Sequence, residues 1–356
     1  MGMKSILNKV IPSLRARDAV LADLTSYHIA LTERLMRIEN RIIDLNAKND
    51  YLFLCMQHLS GETDLETKKR IFLDLPKASG RVRDFQIAAN YILQKVKRIC
   101  DENGLQFSLC GGTLLGAVRH HGFIPWDDDV DIDMLREDYV RLEEILSQDD
   151  ELVMRRYYRY LNSGERAGYV TKIKLKESDQ FFVDVFPWDS LMVEKEDTSR
   201  AWEETAALCE QYHRELKELF EAHGFSYNGS QRPEANADLD ADVVSLEKKY
   251  LQHFKQRFSS GSSTTYYCRG IEQERAFRNC HRLIDRDCFY PFERDAVLFE
   301  GKKYDAYRNH EGWLYRVYGD FWSFPRAVNP HHGTEYKNYS DRDLAIVEDI
   351  KQKSET

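Results

Sequence analysis

Apolar residues near the start of the chain recur every seven positions. One series is Leu24, Leu31, Ile38, Leu45 and Leu52, and the other is Leu21, His28, Leu35, Ile42 and Asn49. This repeat predicts a coiled-coil helix across residues 19–58. Arg34 and Glu39 fall where opposite charges pair between parallel helices, so we expect a parallel homodimer. The alternative is an amphipathic helix docked on its own globular domain, for which a period of about 3.6 residues is typical.

Turn-forming residues follow the heptads. "SGETD" at 60–64 and "PKASG" at 76–80 are typical of a linker, which we assign to residues 59–80. Before the heptads, residues 1–18 form a mildly basic tail that Pro12 interrupts. The pattern therefore predicts a tail, a coiled coil, a linker and a larger domain over residues 81–356.

The larger domain mixes helical and strand patterns. Apolar spacing predicts helices over 84–101 and 136–146, a short helix opened by Thr113, and strands over 105–110, 169–176 and 180–189. The segment "FIPWDDDVDIDM" predicts a turn followed by a strand. Helices and strands in this order indicate the α+β class. Residues 194–262 are charged and mostly helical, which is typical of an insertion or a lid.

Charge and cysteine content narrow the class of protein. The formal net charge is −9 and the basic residues are scattered among acids, which argues against a nucleic-acid partner. The seven cysteines form an odd set without a CxxC pair, as expected of a reduced, cytoplasmic protein. The longest uninterrupted apolar stretch, at 51–56, is far shorter than the roughly 20 residues that span a bilayer, so we expect no transmembrane segment. Peripheral association with a membrane through the tail stays open.

Five aspartates crowd the segment "HHGFIPWDDDVDIDM", residues 120–134. Strand alternation would place four of them on one face: Asp127, Asp129, Asp131 and Asp133. Carboxylates that repel each other persist where a cation neutralises them, and hard oxygen ligands favour Mg²⁺ or Mn²⁺. Asp127 and Asp128 are expected to shape the turn rather than to bind the metal. The alternative is an acidic edge strand that faces solvent and prevents aggregation.

A glycine turn, "CGGTLLG" at 110–116, lies just upstream of the aspartates. Gly111 and Gly112 let backbone N–H groups approach phosphate oxygens, and a helix beginning near Thr113 presents its positive end to them. Arg119 is a candidate to clamp a diphosphate. Lys172 is a further candidate, as is Lys174 on the same face of its strand, and for both the alternative is a solvated strand face.

The stretch "GGTLLGAVRHHGFIPWDDDVDIDMLREDY" resembles the signature of the LicD family, which is similar to the catalytic domain of fukutin-related protein. Two further family-like blocks follow, "FFVDVFPWD" at 181–189 and "LFEGKKYDAYRNHEGWLYRVYGDFWSFP" at 298–325, so the resemblance covers about residues 85–335. It implies a nucleotidyltransferase-like mixed sheet with flanking helices. It also implies transfer of a phospho-alcohol, such as phosphocholine, from a CDP-activated donor to a sugar hydroxyl of a cell-surface glycan (lipopolysaccharide, capsule or teichoic acid type).

This chemistry assigns roles to the carboxylates. Asp129 and Asp131 are the first candidates for metal ligands, and Asp133 continues the same face and would bind the metal directly or through water. Asp184 fits the third carboxylate of such a fold, as a ligand or as the base that takes the acceptor's proton. Two other functions stay open. One is a nucleotidyltransferase that releases pyrophosphate, and the other is a non-catalytic coiled-coil assembly protein.

Overall fold

The computed structural model describes residues 14–161, 164–227, 237–259, 265–273 and 283–325, followed by residues 328, 333–334 and 338–355. Most of the predicted basic tail, residues 1–13, lies outside the described residues. The chain divides into two compact units, residues 1–68 and 69–356. Within the described part of the chain, no helix combines the length and the apolar character that a bilayer span requires.

The first unit is helical. Helix α1 spans Leu14–Ser60, and its heptad leucines and isoleucines are exposed, for example Leu31 at 45% and Leu52 at 60%. The predicted long helix is therefore present, while its pairing with a second copy stays a prediction. Helix α2 follows at Asp64–Asp74 and runs across the boundary between the units.

The predicted linker at 59–80 is wrong in one respect, because it contains helix α2. Thr63 and Glu66 form a capping box at its start: Glu66 Oε2 accepts from the Thr63 N–H at 2.8 Å, and Thr63 Oγ1 accepts from the Glu66 N–H at 3.3 Å. This T-x-x-E signature is visible in the sequence and identifies the helix start that turn chemistry alone conceals.

The second unit is α+β, as predicted. Its helices are α3 (Gly80–Asn103), α4 (Gly111–His120), α5 (Arg136–Leu146), α6 (Thr198–Ala222), α7 (Ala237–Phe258), α8 (Arg286–Phe289), α9 (His310–Tyr318) and α10 (Asp341–Glu355). Its strands are β1 (Phe107–Leu109), β2 (Asp131–Leu135), β3 (Leu152–Leu161), β4 (Arg166–Leu175), β5 (Phe182–Met192), β6 (Thr265–Arg269), β7 (Ile284–Asp285), β8 (Glu293–Phe299) and β9 (Lys302–Ala306).

The main sheet is mixed and centred on β5. Its order is β1-β2-β5-β4-β3, with β6 paired to the second half of β5 and β7 paired to β6, and β8-β9 forms a separate hairpin. Strand β2 is parallel to β5, whereas β4 and β6 are antiparallel to it. The parallel pairing puts Asp131 directly beside Asp184, and the antiparallel pairing puts Lys172 on the other side of Asp184.

Alternation along β2 and β5 separates an apolar face from a charged one. Ile132 and Val185 are neighbours that are completely buried in the main core, so Asp131 and Asp184 point to the opposite face. Helix α3 packs against this core through residues such as Phe85 and Ile92, which are also fully buried. The apolar face therefore fixes the register that brings the two aspartates together.

The helices and strands predicted from the sequence agree with the structure in some segments and differ in others. The helix predicted at 136–146 is present as α5, whereas strand β3 is absent from the sequence-based assignment. Strand β2 begins only at Asp131, so Asp127 and Asp129 lie in the preceding turn and not on the alternating strand face. Within the segment 194–262, α6 and α7 pack together on their own buried apolar cluster with Tyr158 and Tyr169 of β3 and β4, as a helical layer.

Candidate functional site

The turn that precedes β2 is held by backbone and side-chain hydrogen bonds. The Asp127 N–H donates to the Ile124 carbonyl at 2.9 Å, and buried Gln86 donates through Nε2 to the Asp127 carbonyl at 3.0 Å. Asp128 is fully buried and accepts from the Thr334 N–H at 3.1 Å, which agrees with the turn-shaping role predicted for it. These bonds turn the backbone so that carboxylates from both the turn and β2 approach helix α4.

Helix α4 begins at Gly111, two residues before the predicted start at Thr113. Thr113 is buried, and its Oγ1 accepts from the Asp131 N–H at 2.9 Å, so its hydroxyl anchors β2 to α4. The donor-binding role of Thr113 stays a prediction.

Both glycines make room for carboxylates. Gly111 has φ +53, and a Cβ there would lie 2.6 Å from Asp131 Oδ2, while a Cβ at Gly112 would lie 2.8 Å from Asp127 Oδ2. Such distances are far inside ordinary contact, so only glycine allows the carboxylates to pack this closely. The N-terminus of α4 carries partial positive charge that favours nearby anions. In the structure, the groups that approach these two glycines closely are therefore the carboxylates of Asp131 and Asp127. The sequence predicts that a phosphate approaches them.

Four carboxylates lie close enough for their negative charges to act on one another, and we call them the carboxylate cluster: Asp127, Asp129, Asp131 and Asp184. Burial and the negative charges of Asp129 and Asp184 raise the pKa of Asp131 well above its usual value. Burial and the charge of Asp129 likewise raise the pKa of Asp127, whose buried Oδ2 has no hydrogen-bond partner within the described residues. Crowded anions with raised pKa values are the electrostatic signature of a site that attracts a cation.

Lys172 supplies one positive charge to this cluster. Its Nζ lies 2.6 Å and 2.8 Å from the two oxygens of Asp184 and 3.4 Å from the centroid of the Phe182 ring. Across the sheet, Lys172, Asp184 and Asp131 therefore form a row of neighbours on one face. The ammonium that was predicted to bind the donor is paired with Asp184. Lys174 is buried and contacts Tyr157 and Asp179 instead.

The donor atoms fit the chemistry of Mg²⁺ or Mn²⁺, because they are carboxylate oxygens with one buried oxygen left without a partner. Among the described residues, no three side chains of His, Cys, Asp or Glu already stand together as a formed metal site. Asp184 is paired with the Lys172 ammonium at 2.6 Å. Metal binding stays a prediction, and it would require this ion pair to rearrange.

Asp133, a predicted metal ligand, has partners within the protein. It is completely buried, one oxygen accepts from the Tyr307 hydroxyl, and the other lies 3.3 Å from Arg269 Nη1. Strand alternation does put Asp133 on the same face as Asp131. Its carboxylate is nevertheless committed to a hydrogen bond and an ion pair, which favours a structural role over metal coordination.

Arg119, the predicted diphosphate clamp, is also held by the protein. Its guanidinium lies 4.0 Å from the Phe72 ring centroid and donates to the Ser323 carbonyl, and burial lowers its pKa to about 10. These contacts join α4 to α2 and to the loop after α9. Arg119 therefore positions that loop, and its side chain is nearly inaccessible to a ligand.

Three residues near the cluster escaped the sequence-based assignment of the site: Arg269, Tyr307 and Tyr318. Tyr318 ends α9, and although 44% of the residue is exposed, its hydroxyl lies in a less solvated position near the cluster, where desolvation together with the charge of Asp131 raises its pKa. The "YGD" of the third family-like block was a signal for Tyr318, although its aromatic neighbours also suit simple packing. No local pattern in the sequence indicates the position of Arg269.

Comparison with known proteins identifies a family whose matched residues include the carboxylate cluster. Residues 104–223 match the family described as LicD/FKTN/FKRP, nucleotidyltransferase domain. The chain is 43% identical over 68 residues to the lipopolysaccharide cholinephosphotransferase LicD of Haemophilus influenzae, covering 19% of this chain and 26% of that protein. It is 32% identical over 91 residues to the human ribitol 5-phosphate transferase FKRP, covering 25% of this chain and 18% of that protein.

An uncharacterized protein of Rickettsia typhi is 36% identical over 115 residues, covering 31% of this chain and 37% of its own length. The chain thus aligns with about a quarter of LicD and less than that of FKRP. The shared region contains β1, α4, β2 and β5, which are the elements that carry the carboxylate cluster. The resemblance inferred from the aspartate segment is confirmed.

Proposed function

We propose, from the match of residues 104–223 to the family described as LicD/FKTN/FKRP, nucleotidyltransferase domain, that the protein transfers a phospho-alcohol from a CDP-activated donor to a hydroxyl of a cell-surface glycan. One observation carries the proposal: Asp131 and Asp127 pack against the glycines that begin α4, with Asp184 beside Asp131 in the sheet, and all three lie within the residues that match the family. The cytidine diphosphate donor, the glycan acceptor and the cytoplasmic location are parts of the same proposal.

In this reaction the acceptor's hydroxyl oxygen attacks the phosphorus that bears the alcohol. A new P–O bond forms to the glycan, the P–O bond to CMP breaks, and CMP leaves with the bonding electrons. In the proposal Asp184, the neighbour of Asp131 across the sheet, accepts the hydroxyl proton or binds the metal once its ion pair with Lys172 has opened. Gly111 and Gly112 fix the carboxylates against α4, so the site needs little rearrangement of its backbone.

Asp129, Asp131 and Asp184 are the residues that would hold a divalent cation. When bound, Mg²⁺ or Mn²⁺ would neutralise charge on the donor's phosphate oxygens. Without a cation, the cluster would repel an anionic donor. We therefore expect the protein's affinity for CDP to depend on a divalent ion.

Product analysis tests the proposal. The purified protein is incubated with CDP-choline, CDP-glycerol or CDP-ribitol and a glycan acceptor, with and without Mg²⁺, and CMP release and acceptor mass are measured. Metal-dependent CMP release with a matching gain in acceptor mass supports transfer. Incubation with CTP and a phospho-alcohol tests the second reading, because a nucleotidyltransferase would release pyrophosphate and make the CDP-alcohol. If neither reaction occurs with any donor, the enzymatic proposal is wrong.

We further propose that α1 forms a parallel homodimer. Its exposed heptad leucines would otherwise remain in water along a 47-residue helix. A parallel, in-register pair would also bring Arg34 of one copy opposite Glu39 of the other and would stack Asn49 against its own copy. Sedimentation equilibrium of the whole chain tests this state directly, since a monomer at micromolar concentration would contradict it.

A further inference from the structure

Arg269 lies at the end of β6, where it pairs with Trp188 of β5 in the sheet. Its guanidinium carbon is 4.9 Å from the Phe186 ring centroid and 5.2 Å from the Trp188 ring centroid. A quarter of the side chain, 25%, remains exposed. Its partner Asp133, 3.3 Å away, lies two residues after Asp131 on the same face of β2, which places Arg269 beside the cluster. Arg269 is thus an ordered, reachable cation beside the cluster.

Asp133 and Tyr307 fix the orientation of this arginine. Asp133 is completely buried, and burying a carboxylate is costly unless it is paired and hydrogen-bonded. One oxygen accepts from the buried Tyr307 hydroxyl, and the other pairs with Arg269 Nη1 at 3.3 Å. A guanidinium held by a fixed carboxylate and two aromatic rings loses little conformational freedom when it binds an anion.

The backbone next to Arg269 is fixed by a buried ion network. The Gly270 N–H donates to the Pro187 carbonyl at 2.8 Å, and a Cβ at Gly270 would lie 2.4 Å from Arg136 Nη2. Arg136 binds Glu272 at 2.7 Å and Asp189 at 2.8 Å, and all three side chains are buried. This network holds the end of β6 to β5, so it sets the distance between Arg269 and the cluster.

We propose that Arg269 contacts the phosphate of the nucleotide donor, with Asp133 and Tyr307 as its positioning residues. The proposal rests on the proposed function, because it names the group at that site that recognises the donor's anion. The carboxylates attract a divalent cation but repel phosphate, so recognition of a diphosphate also requires a protein cation. Arg119 is committed to Phe72 and Ser323, and Lys172 to Asp184. Arg269 is also paired, with Asp133, but a quarter of its side chain is exposed and the several N–H donors of its planar guanidinium can serve both a carboxylate and a phosphate.

The competing explanation is that Arg269 only neutralises buried Asp133. A neutral double variant, Asp133→Asn with Arg269→Gln, separates the two roles because it removes both charges at once and leaves no unpaired buried ion. The single variant Arg269→Lys keeps the charge without the planar fork. Arg294→Gln is the matched control, since Arg294 is exposed on β8. Thermal unfolding first confirms that each variant is folded.

Calorimetry with CDP and with cytidine, in Mg²⁺, measures the effect. We expect the double variant to bind CDP roughly 10- to 100-fold more weakly than the wild type, as loss of a charge-assisted hydrogen bond implies. Cytidine affinity should be unchanged, because cytidine carries no phosphate, and Arg294→Gln should bind both like the wild type. Arg269→Lys should fall between the wild type and the double variant.

Two failures are distinguishable. If the wild type binds CDP and the double variant binds it equally well, Arg269 is a counter-ion of Asp133 and the inference is overturned, while the proposed function stands. If the wild type itself does not bind CDP with or without Mg²⁺, the proposed function fails and the assignment of Arg269 fails with it.

Discussion

Replacing Gly111 by alanine tests whether the carboxylates packed against α4 are the working site. Gly111 has φ +53, so a side chain there costs about 1–2 kcal/mol in backbone strain. The new Cβ would also lie 2.6 Å from Asp131 Oδ2, well inside the 3.4 Å at which ordinary contact begins. The carboxylate must therefore move by about 0.8 Å, which is the difference between these two distances.

A displacement near 1 Å in a catalytic group can lower turnover by roughly 100-fold. We therefore expect Gly111→Ala to lower the rate of CMP release by about 10- to 100-fold, with a loss of about 1–2 kcal/mol in the free energy of unfolding. Turnover is measured by CMP release at a temperature far below the unfolding transition, and stability by urea titration.

Gly104 provides a matched control, and Gly112 provides a second test. Gly104 has φ +68 and nothing within 4 Å of its added Cβ, so Gly104→Ala carries the backbone strain without the clash and should keep wild-type turnover. Gly112 lies inside α4 without positive φ, but its Cβ would lie 2.8 Å from Asp127 Oδ2. Gly112→Ala should thus lower turnover with little loss of stability, because alanine favours the helix by about 1 kcal/mol. Wild-type turnover in Gly111→Ala, or an equal loss in Gly104→Ala, would refute the reasoning.

Other changes have equally definite outcomes. Asp131→Asn should abolish CMP release yet leave the metal-free protein as stable or more stable at neutral pH. Because the pKa of Asp131 is raised in the folded state, ionising it as the pH rises lowers the free energy of unfolding, and asparagine removes that charge. Turnover close to the wild type would contradict the assignment. Arg119→Lys should lower stability by about 1–2 kcal/mol through its contacts with Phe72 and Ser323 and leave CDP affinity unchanged, which calorimetry checks. Deletion of residues 19–58 should give a monomer that still transfers phospho-alcohol, and an unchanged dimer in sedimentation would place the interface elsewhere.

Strong local periodicity predicted several elements well. The seven-residue repeat indicated the helix that appears as α1, and the 3.6-residue spacing indicated α5 with its observed bounds. The aspartates could be recognised because "DVDID" alternates charged and apolar residues, as expected of a half-buried strand, although the strand itself begins only at Asp131. These successes concern residues whose positions depend on their neighbours in sequence. Asp184 is different, because the parallel pairing of β2 with β5 brings it beside Asp131 from 53 positions away, and its role came from the family resemblance.

The glycines illustrate a subtler limit of sequence-based reasoning. The sequence correctly indicated that Gly111 and Gly112 permit a close approach to the start of α4, but the pattern does not say which group approaches. Phosphate and carboxylate place the same demand on the backbone: space and N–H groups. In the fold, the turn before β2 brings Asp127 to Gly112, and β2 brings Asp131 to Gly111. The tertiary structure therefore determines whether a ligand or a side chain occupies the space beside these glycines.

The same argument explains why Asp133 was assigned to the metal. Alternation places Asp131 and Asp133 on one strand face, so the sequence treats them as equivalent. Tertiary contacts separate them. Asp131 lies beside Asp184 and near Asp129, and mutual repulsion leaves those carboxylates in need of positive charge. Asp133 lies two residues further along, where its Oδ2 accepts from the Tyr307 hydroxyl and its Oδ1 forms an ion pair with Arg269. One face of β2 thus carries both Asp131, which belongs to the candidate cation site, and Asp133, which holds the candidate phosphate-binding Arg269. Because the two aspartates are two residues apart on one strand, the strand fixes the distance between them.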